Sequence, residues 1–397
     1  MKAQRSSSQE SEGIEERKHF SIPKIRISVP LVLVPGMMGS QLWDGEFTGR
    51  RIWPFWHWGM KGKLTFESLN LLVSTPSKIA HDIFPDVYAG LLYALKSMGY
   101  ILNKNLWIFS YDWTESNEIS GQRLTQFIYD IIKNKWKEVD VINHSMGGIV
   151  TRAACEICKA PIRRTIYLAS PHFGTPRAFV SLHPDVKLNF FSGWRVNFVA
   201  NVVWRQHMRV IGDERTLEEE LKWIGAQFQS IYELLPDQYY LTNERPMLFV
   251  EHGMDKLINS DIKRTPIIGV EATYYDNKFT RFRSSDQLNK IRKAMRFKNK
   301  LGNDFTGRNL IIYSSSEITA DSVDYYEIFN IDGEYPTSGK YSGWRKPKDL
   351  GQHGDGIIPT YSATAGYTIA KNVGGTHLGV PNNPYAHLEI ANFLGKH

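Results

Sequence analysis

Val141-Ile142-Asn143-His144-Ser145-Met146-Gly147-Gly148-Ile149-Val150 is the stretch that decides the fold. Residues 139–143 read as a short apolar strand, and a helix follows to about residue 159. Ser145 falls on the turn between them. Strand, tight turn and helix form the setting of a serine nucleophile, because the turn lifts the hydroxyl clear of the sheet. Gly147 lets the helix pack closely on the strand. The Met146 N–H, at the helix N-terminus, points toward the place where negative charge would develop. The usual pattern carries Gly two residues before the serine. Here position 143 is Asn, which tolerates unusual backbone angles.

Outward from this turn, short apolar runs alternate with helical patterns. Residues 31–34, 106–110, 165–169, 309–313 and 367–371 complete the expected strands. Continuous apolar runs suit parallel strands covered on both faces, so the fold class is α/β with a mainly parallel sheet. The rhythm breaks between about 176 and 305, a stretch rich in aromatic and charged residues. The expected division is a disordered polar tail at 1–22, a first core part at 23–175, a cap or lid insertion at 176–305 and a second core part at 306–397.

A serine hydroxyl needs a base, and the base needs an orienting carboxylate. His353-Gly354-Asp355-Gly356-Ile357-Ile358-Pro359 offers Asp355 between two glycines. Gly374-Gly375-Thr376-His377-Leu378 offers His377 just before the terminal helix. Ser145, Asp355 and His377 come in the chain order that this chemistry uses on a parallel α/β sheet. Asp349 is the next acid. His387 sits inside the last helix, and the His144 side chain is expected to point away from the nucleophile. The Gly-rich loop Pro35-Gly36-Met37-Met38-Gly39-Ser40 follows the first strand and supplies the Met37 N–H as a second oxyanion donor beside Met146. Trp53, from an aromatic run at 53–58, and His172 with Phe173, after the strand at 165–169, are the expected substrate-binding residues.

The chain resembles the lecithin–cholesterol acyltransferase family of α/β-hydrolases. Pro35-Gly36-Met37-Met38-Gly39-Ser40, Tyr111-Asp112-Trp113, His144-Ser145-Met146-Gly147-Gly148, Leu234-Leu235-Pro236, Gly354-Asp355-Gly356-Ile357-Ile358-Pro359 and His377 carry the likeness. Position 114 is Thr where the family often has Arg. The resemblance implies the α/β-hydrolase fold and serine-dependent hydrolysis of lipid-like acyl esters through an acyl-enzyme. Phospholipid acyl transfer by the same triad is the alternative. A catalytically silent module binding membrane or partner is another. No metal and no cofactor is expected.

The composition is that of a globular chain: 397 residues, 42 % hydrophobic and 22 % charged. That excludes disordered, collagen-like and disulfide-scaffold classes. The net charge is +7, from 48 Lys and Arg against 41 Asp and Glu. All of this excess lies in residues 281–300, and the remainder is charge-balanced. Residues 287–301 place Leu288, Ile291, Met295 and Leu301 on one helical face, so segment 281–300 is a candidate peripheral contact with an anionic membrane. No nucleic-acid motif accompanies the charge. Cys155 and Cys158 lie three apart on one helix and read as small buried residues rather than a disulfide. The first twenty residues lack an apolar signal region, and no run of 18 apolar residues occurs. A cytoplasmic protein is therefore expected, with leaderless export as the other route.

Overall fold

The structure is a computed structural model and describes residues 22–45, 51–53, 71–133, 135–183, 222–242, 245–254, 263–275, 284–319, 323–329, 341–344, 353–367 and 369–396. The expected polar tail (apart from residue 22), Asp349, Arg281, Arg283 and the aromatic runs at 54–58 and 190–204 lie outside the described residues.

Thirteen strands are described: β1 Leu31–Val34, β2 Ser40–Asp44, β3 Arg51–Trp53, β4 Lys78–Ile83, β5 Leu106–Ile108, β6 Val139–His144, β7 Ile162–Leu168, β8 Leu248–Met254, β9 Lys263–Ile267, β10 Arg308–Tyr313, β11 Val323–Phe329, β12 Tyr341–Trp344 and β13 Lys371–Asn372. The central sheet runs β13-β10-β7-β6-β1-β5. Every neighbouring pair in it is parallel. This is the α/β-hydrolase arrangement.

Side chains alternate across the sheet, as strand geometry requires. Leu31, Leu33, Ile142 and Ile166 pack on one face with Leu91 and Leu95 of helix Pro85–Met98 and with Ile390 and Leu394 of helix Pro384–Gly395. Val32, Val34, Val139 and Val141 pack on the other face with Leu124 and Ile128 of helix Asn117–Ile132. Burying each such side chain contributes roughly 1.5–3 kcal/mol. The runs read as continuously apolar because both faces are covered.

Two expected strands change. β7 begins at Ile162, three residues earlier than the apolar run, and includes Arg163 and Arg164. Both arginines close on the buried Asp140 of β6, at 2.7 and 2.8 Å, so charge is accommodated inside the sheet by a paired carboxylate. At the other edge, the expected strand 367–371 shrinks to Lys371–Asn372. Tyr367 and Ile369 are exposed, so the apolar letters there never join the core.

A second sheet, β12-β11-β8-β9, lies in the sequence region expected to be a cap and beyond it. β8 and β9 precede residue 306, whereas β11 and β12 follow it. The chain therefore leaves this sheet, lays down β10 in the central sheet, and returns. A third sheet, β3-β2-β4, is antiparallel and follows the loop after β1.

Helix Gly147–Arg152 continues into a π-helical turn, Ala153–Ile157, which carries Cys155. Cys155 is buried and Cys158 only partly so, and both are free thiols. Burial pushes the Cys155 thiol up to about 12, which keeps it protonated and inert.

Candidate active site

Ser145 follows β6 directly and adopts φ 54°, in the left-handed region. For a residue with a side chain this costs about 1–2 kcal/mol. The surroundings hold it there: the Ser145 N–H donates to the Leu168 carbonyl at 2.9 Å, and the Ser145 carbonyl accepts from Gly148 N–H at 2.9 Å. A Cβ on Gly147 would stand 2.4 Å from the Pro35 oxygen and 2.6 Å from the Val34 oxygen, so only glycine lets the helix come this close to β1. Asn143 does not carry the unusual backbone angle. It stays in the strand, and its Oδ1 accepts from Ser170 Oγ at 3.1 Å.

Asp355 sits in a tight loop after β12. Its Oδ1 accepts from the Ile357 and Ile358 N–H groups at 3.0 and 2.7 Å. That leaves Oδ2 for His377 Nδ1, which donates to it at 2.7 Å. Gly354 and Gly356 explain the flanking pattern. A Cβ on Gly354 would stand 2.2 Å from the Ile358 oxygen, and Gly356 has φ 91°. His377 Nε2 faces Ser145 Oγ at 2.8 Å. Since Nδ1 carries the proton given to Asp355, Nε2 is the unprotonated nitrogen and accepts from the serine hydroxyl. Three residues far apart in the chain thus form one hydrogen-bonded line. Asp355 and His377 are almost wholly buried.

The loop after β1 turns tightly. Gly39 N–H donates to the Gly36 carbonyl at 3.0 Å, and Met38 has φ 62°. Among the described residues, neither the Met37 nor the Met146 N–H donates to a protein acceptor. Trp53 reaches this loop, with Nε1 donating to the Met38 carbonyl at 2.9 Å, and meets Trp113 edge-on at 5.4 Å. The Tyr111 hydroxyl donates to the Pro35 carbonyl at 3.0 Å, and Trp113 Nε1 to the Ser40 carbonyl at 3.2 Å. Tyr111 and Trp113 therefore buttress the loop, a role that spacing alone did not reveal.

His172 and Phe173 follow β7. The His172 ring packs against Tyr167 and Phe305, each at 4.8 Å, and burial holds it neutral. Phe173 packs against Tyr239 and Tyr361. None of these contacts reaches Ser145, Asp355 or His377. His387 is buried, with Nε2 donating to the Pro381 carbonyl at 2.8 Å. The His144 ring packs against the His377 ring, 4.9 Å between centroids, and its Nδ1 accepts from the Tyr88 hydroxyl.

The family profile of lecithin:cholesterol acyltransferase matches residues 61–190, which include Ser145. Over this segment the chain is similar to the lecithin:cholesterol acyltransferase family. Lecithin-cholesterol acyltransferase-like 4 of Arabidopsis thaliana is 23 % identical over 423 aligned positions, covering 89 % of this chain and 73 % of that protein. The uncharacterized protein YJR098C of Saccharomyces cerevisiae is 33 % identical over 158 positions. That match covers 36 % of this chain and only 23 % of the yeast protein's length. Among solved structures, a chain of the Tle4–Tli4 complex superposes with TM-score 0.60 at 13 % identity, covering 92 % of this chain and 97 % of that one. This last likeness supports the fold. The matched family segment holds the serine turn and stops before Asp355 and His377.

The basic segment forms helix Ser285–Leu301. Its apolar face is occupied: Ile291 and Met295 join one core cluster, and Phe297 and Leu301 another. A cleft of about 830 Å³ lies along it, lined by Lys290, Lys293, Arg296 and Lys300 of this helix and by Asp112, Glu115, Glu118 and Glu233. Lys300 pairs with Glu118 at 2.9 Å, Lys290 with Asp286 at 2.8 Å, and buried Lys298 with Asp237 at 3.2 Å. Arg292, Lys293 and Arg296 are exposed and make no ion pair among the described residues. No described helix is long and apolar enough to cross a membrane. Among the described residues, no three His, Cys, Asp or Glu side chains gather as metal ligands.

Proposed function

We propose that this chain is a serine-dependent ester hydrolase acting on lipid-like acyl esters. The observation that carries the reading is the line Asp355 Oδ2, His377, Ser145 Oγ, with separations of 2.7 and 2.8 Å. Likeness to the acyltransferase family supports lipid-like esters as the substrate class.

In this reading Ser145 Oγ attacks the ester carbonyl carbon while His377 Nε2 takes the hydroxyl proton. Asp355 holds the resulting imidazolium in place and stabilises it. The carbonyl oxygen becomes an oxyanion and accepts from the Met37 and Met146 N–H groups. Collapse breaks the ester C–O bond, and His377 returns its proton to the leaving alcohol. Water, deprotonated by His377, then attacks the acyl-enzyme; the acyl C–Oγ bond breaks, and His377 returns the proton to Ser145 Oγ as the acid leaves. Trp53 acts here by holding the Met38 carbonyl and so the loop that carries Met37. His172 and Phe173 remain part of the proposed substrate-binding region.

Exposed Arg292, Lys293 and Arg296 are the proposed contact with an anionic lipid surface. They act through charge alone, since the apolar face of their helix is buried.

The test is a panel of soluble esters and phospholipids with products identified by mass spectrometry, on the wild type and Ser145→Ala. The wild type should release free acid and react with a fluorophosphonate, and the variant should do neither. Undiminished labelling of the variant would remove Ser145 from the mechanism. An added alcohol separates hydrolysis from acyl transfer, because transfer yields a new ester.

A further inference from the structure

His144 precedes the serine and has no direct part in the reaction above. Its ring is 2 % exposed, wedged between Tyr88 at 5.7 Å and His377 at 4.9 Å between ring centroids. Its Nε2 lies 3.1 Å from the His377 carbonyl oxygen. A carbonyl only accepts, so Nε2 carries the proton. Its Nδ1 is then a bare acceptor, and the Tyr88 hydroxyl donates to it at 3.0 Å. The Tyr88 oxygen in turn accepts from Gly36 N–H at 2.8 Å. Donors and acceptors alternate without conflict only when His144 is neutral. Burial, reinforced by the adjacent His377 ring, holds it well below the ordinary histidine value. Burial likewise keeps Tyr88 protonated.

The chain of bonds joins two loops that meet at Ser145: a Cβ on Gly36 would stand 2.9 Å from the Ser145 Cβ, and His377 Nε2 lies 2.8 Å from its Oγ. At one end is Gly36, the residue before the Met37 donor. At the other is the backbone of His377, which arrives on a loop whose Gly374 and Gly375 both have positive φ. The His377 N–H already donates to the Asp355 carbonyl at 2.8 Å. Its carbonyl is held by His144 alone among the described bonds. The base is therefore tied at its N–H to the acid and at its carbonyl to the residue before the nucleophile.

We propose that His144 and Tyr88 are positioning residues that set the spacing between the Gly36–Met37 loop and the His377 loop across Ser145. The proposal rests on the serine hydrolase reading above. It deepens that reading because acyl transfer to serine requires both the base and the oxyanion donors within a few tenths of an ångström of their working positions, and misplacement by 1 Å costs about 100-fold in rate.

The experiment compares the wild type with Tyr88→Phe, His144→Phe, the double variant and His144→Gln on a soluble ester from pH 6 to 9. Thermal melting is followed in parallel. Tyr88→Phe and His144→Phe should each lower kcat by roughly 10- to 100-fold with KM within about twofold. The double variant should fall no further than the worse single one, since one relay is broken either way. His144→Gln, which keeps a donor for the His377 carbonyl, should recover part of the loss. Wild-type kcat in both single variants, or losses that multiply in the double variant, would overturn the proposal. Histidine ring ¹⁵N resonances of the wild type give a reading that needs no variant to fold. One ring should stay neutral and protonated at Nε2 from pH 5 to 8. An assigned His144 that titrates as an imidazolium in that range would also overturn it. A wild type that neither hydrolyses esters nor labels with fluorophosphonate sinks the hydrolase reading itself, and the resonances still judge the relay.

Discussion

His377 Nε2 lies 2.8 Å from Ser145 Oγ although 232 residues separate them in the chain. The contact exists because β6 and the loop after β13 both end at the same edge of one parallel sheet, where carboxyl ends of strands gather functional groups. The orientation of that imidazole depends on Asp355. Asp355→Asn keeps the shape but changes what the side chain can accept, so the histidine loses its favoured tautomer. We expect kcat to fall about 10⁴-fold with little change in melting temperature, measured on a soluble ester. A loss below tenfold would argue that another acid orients His377.

Gly147 is constrained by the backbone of β1 rather than by movable side chains. Gly147→Ala should destabilise the fold by about 1–3 kcal/mol or more, because the Val34 and Pro35 oxygens cannot move without disturbing the sheet. Urea denaturation measures this directly, and a midpoint equal to the wild type would contradict the close approach.

Asp140 holds two arginines at the start of β7. Arg164 is itself buried and also donates to the Phe393 and Lys396 carbonyls near the end of the terminal helix. Asp140→Ala leaves this cation without its carboxylate. The expected cost is about 3–5 kcal/mol, read as lost soluble yield or a lowered denaturation midpoint.

Glu233 sits under the N-terminus of helix Asn117–Ile132, accepting from Ser116 Oγ at 2.7 Å and Asn117 N–H at 2.6 Å. Burial outweighs these bonds and raises its carboxyl from 4.5 to about 7. The folded protein then binds more protons than the unfolded chain between those two values. Glu233 therefore favours the fold fully below about pH 4.5, and that contribution is lost as pH rises through about 7. The full span is worth about 3 kcal/mol. Glu233→Gln should flatten the decline of melting temperature between pH 5 and 8 relative to the wild type. Identical pH profiles would show that Glu233 is ionised throughout.

Replacing Arg292, Lys293 and Arg296 together by Gln should weaken binding to anionic vesicles roughly 100-fold, at about 1 kcal/mol per cation. Turnover of a soluble ester should not change. Sedimentation with vesicles of graded anionic lipid content gives the answer, and unchanged binding would leave these charges as a solvated face.

The turn around Ser145 was legible in the residues because its geometry is local. A strand, a tight turn and a helix are written within ten consecutive residues, although the left-handed position falls on Ser145 and not on Asn143. The same holds for Asp355, whose loop is closed by its own Oδ1 on the N–H groups two and three residues later. The continuous apolar run at 31–34 also foretold a strand covered on both faces, since successive side chains of a strand point to opposite faces. Tertiary structure decided the rest. Nothing near Tyr88 in sequence marks it as the acceptor for Gly36, because that partner lies 52 residues away. The basic helix has the periodicity of a lipid-binding segment, yet its apolar face is consumed by the protein's own core, and three of its lysines by nearby carboxylates. The sheet that joins β8 and β9 to β11 across an intervening core strand was likewise hidden. Strand pairing depends on which backbone groups meet in space, and that is fixed by long-range packing rather than by neighbours in the chain.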